Sequence, residues 1–279
     1  MSDVARDVAA VVVDYHADEV LVECVTSLLS NDVKEIIVVE NGEEGSVPTS
    51  LLAHNVKVVA PGVNLGYGRG VNRGVAFAPV TPYVLVSNPD VVVHEGAVRA
   101  LCDYLDTHDS VALVGPEIRR PDGTVYPSRR VFPNVWLAGL HAVLSPLWPG
   151  NPATKRYRTT SPDGIVDWVS GACFLVRRSA FELVGGFDER YFMFAEDMAL
   201  CWQLREHGFE VAATSAAVVT HIEGVSRARA SRAMVIAHHR SAMRFEFQTA
   251  RGWRRALVPL ASLVLSLRLV LVLVARPKS

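Results

Sequence analysis

The chain has 279 residues, 50% of them hydrophobic, with 28 basic and 29 acidic side chains and a formal charge of -1. That is enough apolar material for one large globular domain or two small ones, and it argues against a disordered chain. A near-neutral balance gives no basic field with which to grip a nucleic acid backbone, so nucleic acid is not an expected partner.

Asp3 and Asp7 lead into VAAVVVDY (8–15), a β-branched run too short to act with its flanks as a secretory signal, and the chain is expected to face the cytosol. Unbroken runs of this kind predict strands buried on both faces of a parallel sheet. KEIIVVENG (34–42) and VKVVAPG (56–62) are two more. Between the first pair, ADEVLVECVTSLLSN (17–31) spaces Val20, Cys24 and Leu28 at helical intervals. Strand and then helix return in YVLVSNPDVVV (83–93) and EGAVRALCDYLDTH (95–108). The alternation predicts an α/β fold, a mostly parallel central sheet flanked by helices. Residues 116–164, rich in Pro, Gly, Arg and aromatics, predict loops around a short helix. IVDWVSGACFLVRRSAFELVGGFDE (165–189) restores strand and helix, and 197–208 predicts a further helix stopped by Gly208. Cys24, Cys102, Cys173 and Cys201 stand far apart with no C-x-x-C pair, which predicts small buried residues in a reducing compartment rather than a zinc site or disulfides.

In open α/β sheets ligands collect beyond the carboxyl ends of the strands. The first strand delivers Asp14, Tyr15 and His16 there, the second Glu40 and Asn41, and the fourth Asn88 and Asp90 across a proline. A carboxylate so placed can accept from a nucleobase N–H or hold a divalent cation on a diphosphate, and each group taken singly is also ordinary turn chemistry. NLGYGRGVNRG (64–74) combines four glycines with Asn64, Arg69 and Arg73. Glycine permits close backbone approach and arginine pairs with phosphate, while a plain flexible loop explains the run equally well. It matches neither the dinucleotide fingerprint nor the Walker loop. FMFAEDMALCWQLREHG (192–208) sets Glu196 and Asp197 side by side among aromatics. Acids there complement a helix dipole, and a general base can occupy the same place.

Taken together and in order, VVENG (38–42), NLGYGRGVNRG (64–74), SNPDVVV (87–93), the block 168–208 and HIEGVS (221–226) resemble the family 2 glycosyltransferases of GT-A fold, over roughly residues 8 to 245. The resemblance implies an inverting sugar transfer from a nucleotide-sugar donor. It gives Asp90 the role of holding Mg²⁺ or Mn²⁺ on the donor diphosphate, with Asn88 in place of a first aspartate and His221 closing over the metal. Glu40 stands where the family has an aspartate against the pyrimidine, and Asn41, Asn64 and Arg69 belong to the same nucleotide edge. Asp197 is the implied catalytic base, with Ala199 in place of a further acid. Trp168, Ser170, Gly171 and Glu196 fall to the acceptor side, where Arg129 and Arg130 either hold an acceptor diphosphate or form a solvated pair.

ALVPLASLVLSLRLVLVLVA (256–275) is almost wholly apolar, holds Arg268 and is flanked by RGWRR (251–255) and RPKS. It predicts a helix that meets the cytosolic membrane surface, interfacial or shallowly inserted; a buried homodimer helix is the competing reading. The expected division is therefore residues 1–245 as the transferase domain and 246–279 as a membrane-associating helical segment. Within the family, the GTVYPSRRVFPN loop and the tail resemble bacterial rhamnosyltransferases that extend polyprenyl-diphospho-N-acetylglucosamine. That likeness implies dTDP-L-rhamnose as donor, a lipid-linked acceptor and a role in the arabinogalactan linkage unit; the alternative on the same fold is transfer from UDP-galactose, UDP-galactofuranose or GDP-mannose to a lipid-linked or polysaccharide acceptor. A sugar nucleotidyltransferase and an inactive membrane-attached binding protein are the readings from other classes; the first lacks its N-terminal glycine-rich loop, and the second sits poorly with an intact Asp90 and Asp197.

Overall fold

The computed structural model describes residues 7–17, 19–42, 45, 47–54, 56–132, 148, 150–152, 154–155, 163–222 and 232–275. In chain order the strands are β1 Val8–Asp14, β2 Glu35–Glu40, β3 Lys57–Val59, β4 Tyr83–Ser87, β5 Val91–Val93, β6 Val111–Arg119, β7 Arg129–Arg130, β8 Gly164–Val166, β9 Trp168–Val169, β10 Cys173–Arg177 and β11 Glu210–His221. The helices are α1 Glu19–Leu29, α2 Tyr67–Phe77, α3 Ala97–Thr107, α4 Arg178–Leu183, α5 Glu196–Glu206, α6 Arg232–Thr249 and α7 Val258–Ala275.

Nine strands form one sheet in the order β3-β2-β1-β4-β10-β6-β11-β5, with β8 also paired to β11. Six run one way, and β10, β5 and β8 run against them, so the sheet is mostly parallel as its β-branched runs predict. Every residue of β1 is buried. Ala10 and Val12 join the core layer that takes in Leu21, Val25 and Leu28 of α1 and Leu101 of α3. Ala9, Val11 and Val13 join the opposite layer, with Val71 of α2, Phe181 of α4 and Leu200 of α5. A strand wedged between two helical layers has no polar face to show, which is why its sequence does not alternate.

Two elements depart from a simple strand–helix repeat. The run 83–93 divides into β4 and β5 at the turn Asn88–Asp90, where Pro89 has no N–H for a ladder. β10 inserts between β4 and β6 with reversed direction. The glycines of 64–74 also do more than line a loop. A Cβ on Gly70 or Gly74 would lie 2.9 or 2.4 Å from Val13 or Val11 side-chain atoms, so α2 sits close on the sheet only because they are glycines.

Residues 245 and 246, where the sequence divides transferase from tail, lie within the single helix α6. α7 packs against α6 and otherwise exposes Leu260, Leu263, Leu267, Val270 and Leu271. Residues 252–273 are long and apolar enough to cross a membrane, with an 18-residue stretch of mean hydropathy 2.4. Most of the short helix expected within 116–164, and residues 223–226 of HIEGVS, lie outside the described residues.

Candidate active site

The reversal of β10 organises the site. Its first residue, Cys173, pairs with Ser87, the last residue of β4. The turn 170–172 therefore meets the turn 88–90, and the Asn88 N–H donates to the Ala172 carbonyl at 2.8 Å. The catalytic candidates lie on either side of this junction. On one side β5 pairs with β11, setting Val91 opposite His221. Buried Asp90 Oδ1 then lies 3.0 Å from His221 Nε2, and the Asp90 carbonyl accepts from Ile222 N–H at 2.9 Å.

On the other side the Gly171 N–H donates to Asp197 Oδ2 at 2.9 Å and the Met198 N–H to Asp197 Oδ1 at 2.8 Å. The Tyr67 hydroxyl donates to the Gly171 carbonyl at 2.5 Å. Glu196 and Asp197 open α5 directly after Phe194 (φ 69°) and Ala195 (φ 61°). Left-handed backbone on non-glycine residues costs about 1–3 kcal/mol each and persists where the surroundings enforce it. Here α6 does so: Ser241 Oγ donates to the Met193 carbonyl at 2.8 Å and Tyr191 donates to Gln248 at 2.9 Å. From the other flank the Tyr67 N–H donates to the Phe192 carbonyl at 3.2 Å. Gly66 (φ 81°) is required beside it, because a Cβ there would lie 2.2 Å from Phe192 O.

Burial sets the electrostatics. It pushes the Glu196 carboxyl up to about 8, and the charge of neighbouring Asp197 adds to the effect. Burial also raises Asp197, while the two backbone N–H groups and Arg130 pull the other way. Glu196 Oε2 has no hydrogen-bond partner among the described residues. The Tyr67 phenol is held well above its ordinary range by burial, then by Glu196 and Asp197, with Asp90 contributing further. Tyr67 thus feels the acids on both sides of the junction and stays protonated.

The nucleotide edge is tied together by its own polar groups. Asn41 Oδ1 accepts from Leu65 N–H at 2.8 Å, and its Nδ2 donates to Asn64 Oδ1 at 3.1 Å and to the Gly66 carbonyl at 3.2 Å. Asn64 Oδ1 also accepts from Gly66 N–H at 2.8 Å. Buried Glu40 accepts from Val47 N–H at 2.9 Å, fixing the loop after β2. The arginines of α2 turn elsewhere: Arg69 donates to the Glu189 carbonyl at 2.8 Å, and Arg73 lies over Phe77. On the acceptor side Trp168 pairs with Arg130 across β9 and β7, and its indole donates to the Val131 carbonyl at 3.2 Å. Arg130 lies over the Trp168 ring, and its charge reaches Asp197. Ser170 donates its N–H to Ser128 O at 2.7 Å. Arg129 is buried between Asp163 and Glu117, so its charge is already matched.

Sequence reading gave Tyr67 no role; its signal is an aromatic residue standing inside a glycine run. The enforced strain at 194–195 has no residue-type signature.

The donors suit a divalent cation only as a partial site. Asp90 supplies a carboxylate, and His221 has a buried Nδ1 without a hydrogen-bond partner among the described residues. No group of three or more potential ligands occurs among the described residues. Mg²⁺ and Mn²⁺ are commonly held in that way, by one or two protein ligands with substrate phosphates completing the shell.

Polar groups gathered along one edge of an α/β sheet, with a carboxylate on each side of the strand junction, are the layout of a GT-A sugar transferase. The chain belongs to glycosyltransferase family 2: it matches the family described as "Glycosyltransferase like family 2" over residues 5–243. It is 40% identical over 245 residues to the N-acetylglucosaminyl-diphospho-decaprenol L-rhamnosyltransferase of Mycobacterium tuberculosis, spanning 82% of this chain and 80% of that protein. It is 24% identical over 208 residues to rhamnosyltransferase WbbL of Escherichia coli, spanning 70% of this chain and 75% of that protein. Among solved structures, GalNAc-T7 with UDP, GalNAc and Mn²⁺ superposes with a TM-score of 0.63 at 14% identity, over 96% of this chain and 55% of that one. The mannosyltransferase PcManGT of Pyrobaculum calidifontis with GDP-Man and Mn²⁺ gives 0.58 at 14% identity, over 99% of this chain and 79% of that one. These two likenesses bear on the fold, which is GT-A; the chain is a glycosyltransferase.

Proposed function

We propose that the enzyme transfers L-rhamnose from dTDP-L-rhamnose to polyprenyl-diphospho-N-acetylglucosamine with inversion, in building the arabinogalactan linkage unit at the cytosolic face of the membrane. The observation that carries the proposal is the half-buried Asp197 carboxylate, aimed by the Gly171 and Met198 N–H groups. Together with it stands the 40% identity to a rhamnosyltransferase whose name specifies that acceptor.

Inversion is one displacement, so one base serves it. Asp197 takes the proton of the attacking acceptor hydroxyl; its raised affinity for protons makes it a better acceptor than an exposed aspartate. Trp168 offers a flat apolar surface to the acceptor sugar, Ser170 and Gly171 floor the site, and Arg130 faces the acceptor diphosphate. Arg129, neutralised by its two carboxylate partners, positions β7. Glu40, Asn41 and Asn64 form the edge against which the nucleotide lies. Asn88, Asp90 and His221 face the donor diphosphate, and Asp90 and His221 would hold a divalent cation, which would supply positive charge to the leaving diphosphate. α7 meets the bilayer, which puts the enzyme on the surface that carries its acceptor; residues 246–279 form that membrane-associating segment.

Incubation of the purified protein and Mg²⁺ with polyprenyl-diphospho-N-acetylglucosamine tests the proposal, with labelled dTDP-L-rhamnose, UDP-galactose and GDP-mannose offered separately. Label in lipid from dTDP-L-rhamnose alone is the expected result. Label from another donor replaces the sugar assignment, and label from none, with folded protein that binds nucleotide, removes this acceptor.

A further inference from the structure

The chain as a whole is formally -1, yet residues 232–255 carry six arginines against the single acid Glu246, a formal +5 before histidines are counted. In the fold this charge collects beside the exposed apolar helix. A groove of about 470 Å³ is lined by Arg190, Arg240, Met243, Arg244, Phe247 and Gln248. Four of these recur at i, i+3, i+4 and i+7 and so share one face of α6. A different face, with Ser241, Phe245 and Thr249, is buried against the domain.

We infer that this groove binds the phosphate of an acidic phospholipid headgroup while α7 contacts the acyl region; the inference builds on the membrane reading of α7. Arg190 is held by Asp188 through Nε at 2.8 Å and Nη2 at 2.5 Å, and the Asp188 carboxylate also feels the charge of Arg244. Arg240 and Arg244 have no ion-pair partner among the described residues, and Arg244 lies over the Tyr191 ring. At the foot of the groove Arg251 pairs with Glu206 and Arg254 with Glu246, leaving Arg255 to a backbone carbonyl. The net positive charge therefore concentrates at Arg240 and Arg244, two forks suited to one phosphate. Phe247 is 62% exposed beside them and Trp253 is 67% exposed on the turn into α7, the aromatic placement of an interfacial surface. Arg268 of α7 is close enough for its charge to act on His238 of α6. Ser241, which steadies the loop before Asp197, lies on the buried face of α6 rather than among the residues that line the groove. The groove's neighbours, the exposed apolar helix and Trp253, favour a bilayer headgroup over the acceptor's own diphosphate.

Vesicle flotation separates the possibilities, using the full chain with phosphatidylcholine alone or mixed with phosphatidylglycerol. Arg240→Gln with Arg244→Gln is compared with a matched loss of two charges elsewhere, Lys34→Gln with Lys57→Gln. The expected result is about 10- to 30-fold weaker binding of the arginine variant to anionic vesicles, with binding to neutral vesicles and the control pair unchanged. Unchanged anionic binding by the arginine variant overturns the inference alone, and wild-type binding to neither vesicle overturns it together with the membrane reading. A raised KM for a water-soluble short-chain diphospho-sugar acceptor, with vesicle binding intact, assigns the groove to the acceptor and also overturns it.

Discussion

The two sides of the junction between turns 88–90 and 170–172 are built on different terms. On the nucleotide side the polar groups hold one another: Asn41, Asn64 and Gly66 form a closed set of hydrogen bonds, and Glu40 pins the loop after β2. On the acceptor side buried Glu196 stands beside half-buried Asp197, one Glu196 oxygen lacks a partner among the described residues, and Phe194 and Ala195 are forced left-handed. The first side is a seat held by its own hydrogen bonds, on which the proposed nucleotide would lie. The second is costly to fold, which makes sense only if the cost places a carboxylate of high proton affinity where chemistry occurs.

The largest expected effect tests that division directly. Asp197→Asn keeps the volume and can still accept from Gly171 N–H through its amide oxygen, but it cannot take a proton. Transfer should fall by about 10³-fold or more while nucleotide affinity, measured by titration calorimetry, stays within about twofold. Comparable losses in both quantities would erase the functional distinction between the sides. Next comes Gly66→Ala, which strikes where the sides touch. Its Cβ would press on Phe192 O at 2.2 Å in a backbone conformation that disfavours any side chain. The expected cost is about 3 kcal/mol of stability by denaturant unfolding, with transfer reduced about 100-fold. A variant with wild-type stability would show that the seam yields easily.

How far this contrast could be read from sequence follows the same line. The nucleotide side rests on β1, β2 and β4, whose unbroken β-branched runs announce buried parallel strands, and whose ends bring Glu40, Asn41, Asn88 and Asp90 to one edge by topology alone. The acceptor side depends on tertiary events. Nothing in CFLVR states that β10 runs against β4, yet that reversal is what sets Gly171 beside Asn88. α6 clamps residues 191–194 from about fifty positions downstream, and Phe194 and Ala195 give no sign of a positive φ because packing imposes it. Arg129 and Arg130 look alike in sequence; only the fold sends one to Asp163 and Glu117 and the other over Trp168. The resemblance of the 168–208 block is what proposes Asp197 as the base where residue-level reasoning left base and helix-dipole roles side by side.

A smaller effect is expected at Tyr67, the residue that feels both sides. Tyr67→Phe removes the hydrogen bond to the Gly171 carbonyl but preserves the ring packing on Phe187. One neutral hydrogen bond contributes about 1 kcal/mol, so kcat should fall about fivefold as Gly171 loosens its hold on Asp197, with KM for the nucleotide sugar little changed. A change confined to the nucleotide-sugar KM would move Tyr67 wholly to the nucleotide side.

The gentlest test alters one charge on the acceptor side and is read as a shift along the pH axis. Glu196 carries its proton up to about 8 in the folded protein against 4.5 ordinarily, because burial and Asp197 both disfavour its charge. The native state therefore binds more protons than the unfolded chain between those values, and stability falls as pH climbs through about 8. Glu196→Gln removes that penalty, so at pH 9 the variant should melt a few degrees above wild type, and near pH 4 the gap should close. Below about 8 Glu196 is neutral, so the same change takes no charge from beside Asp197, and the acid limb of the kcat profile should stay in place. A limb that stays in place while the melting difference appears would mean that Glu196 acts on the fold without tuning the base. A limb that moves with no melting difference would put the tuning in the bound complex alone.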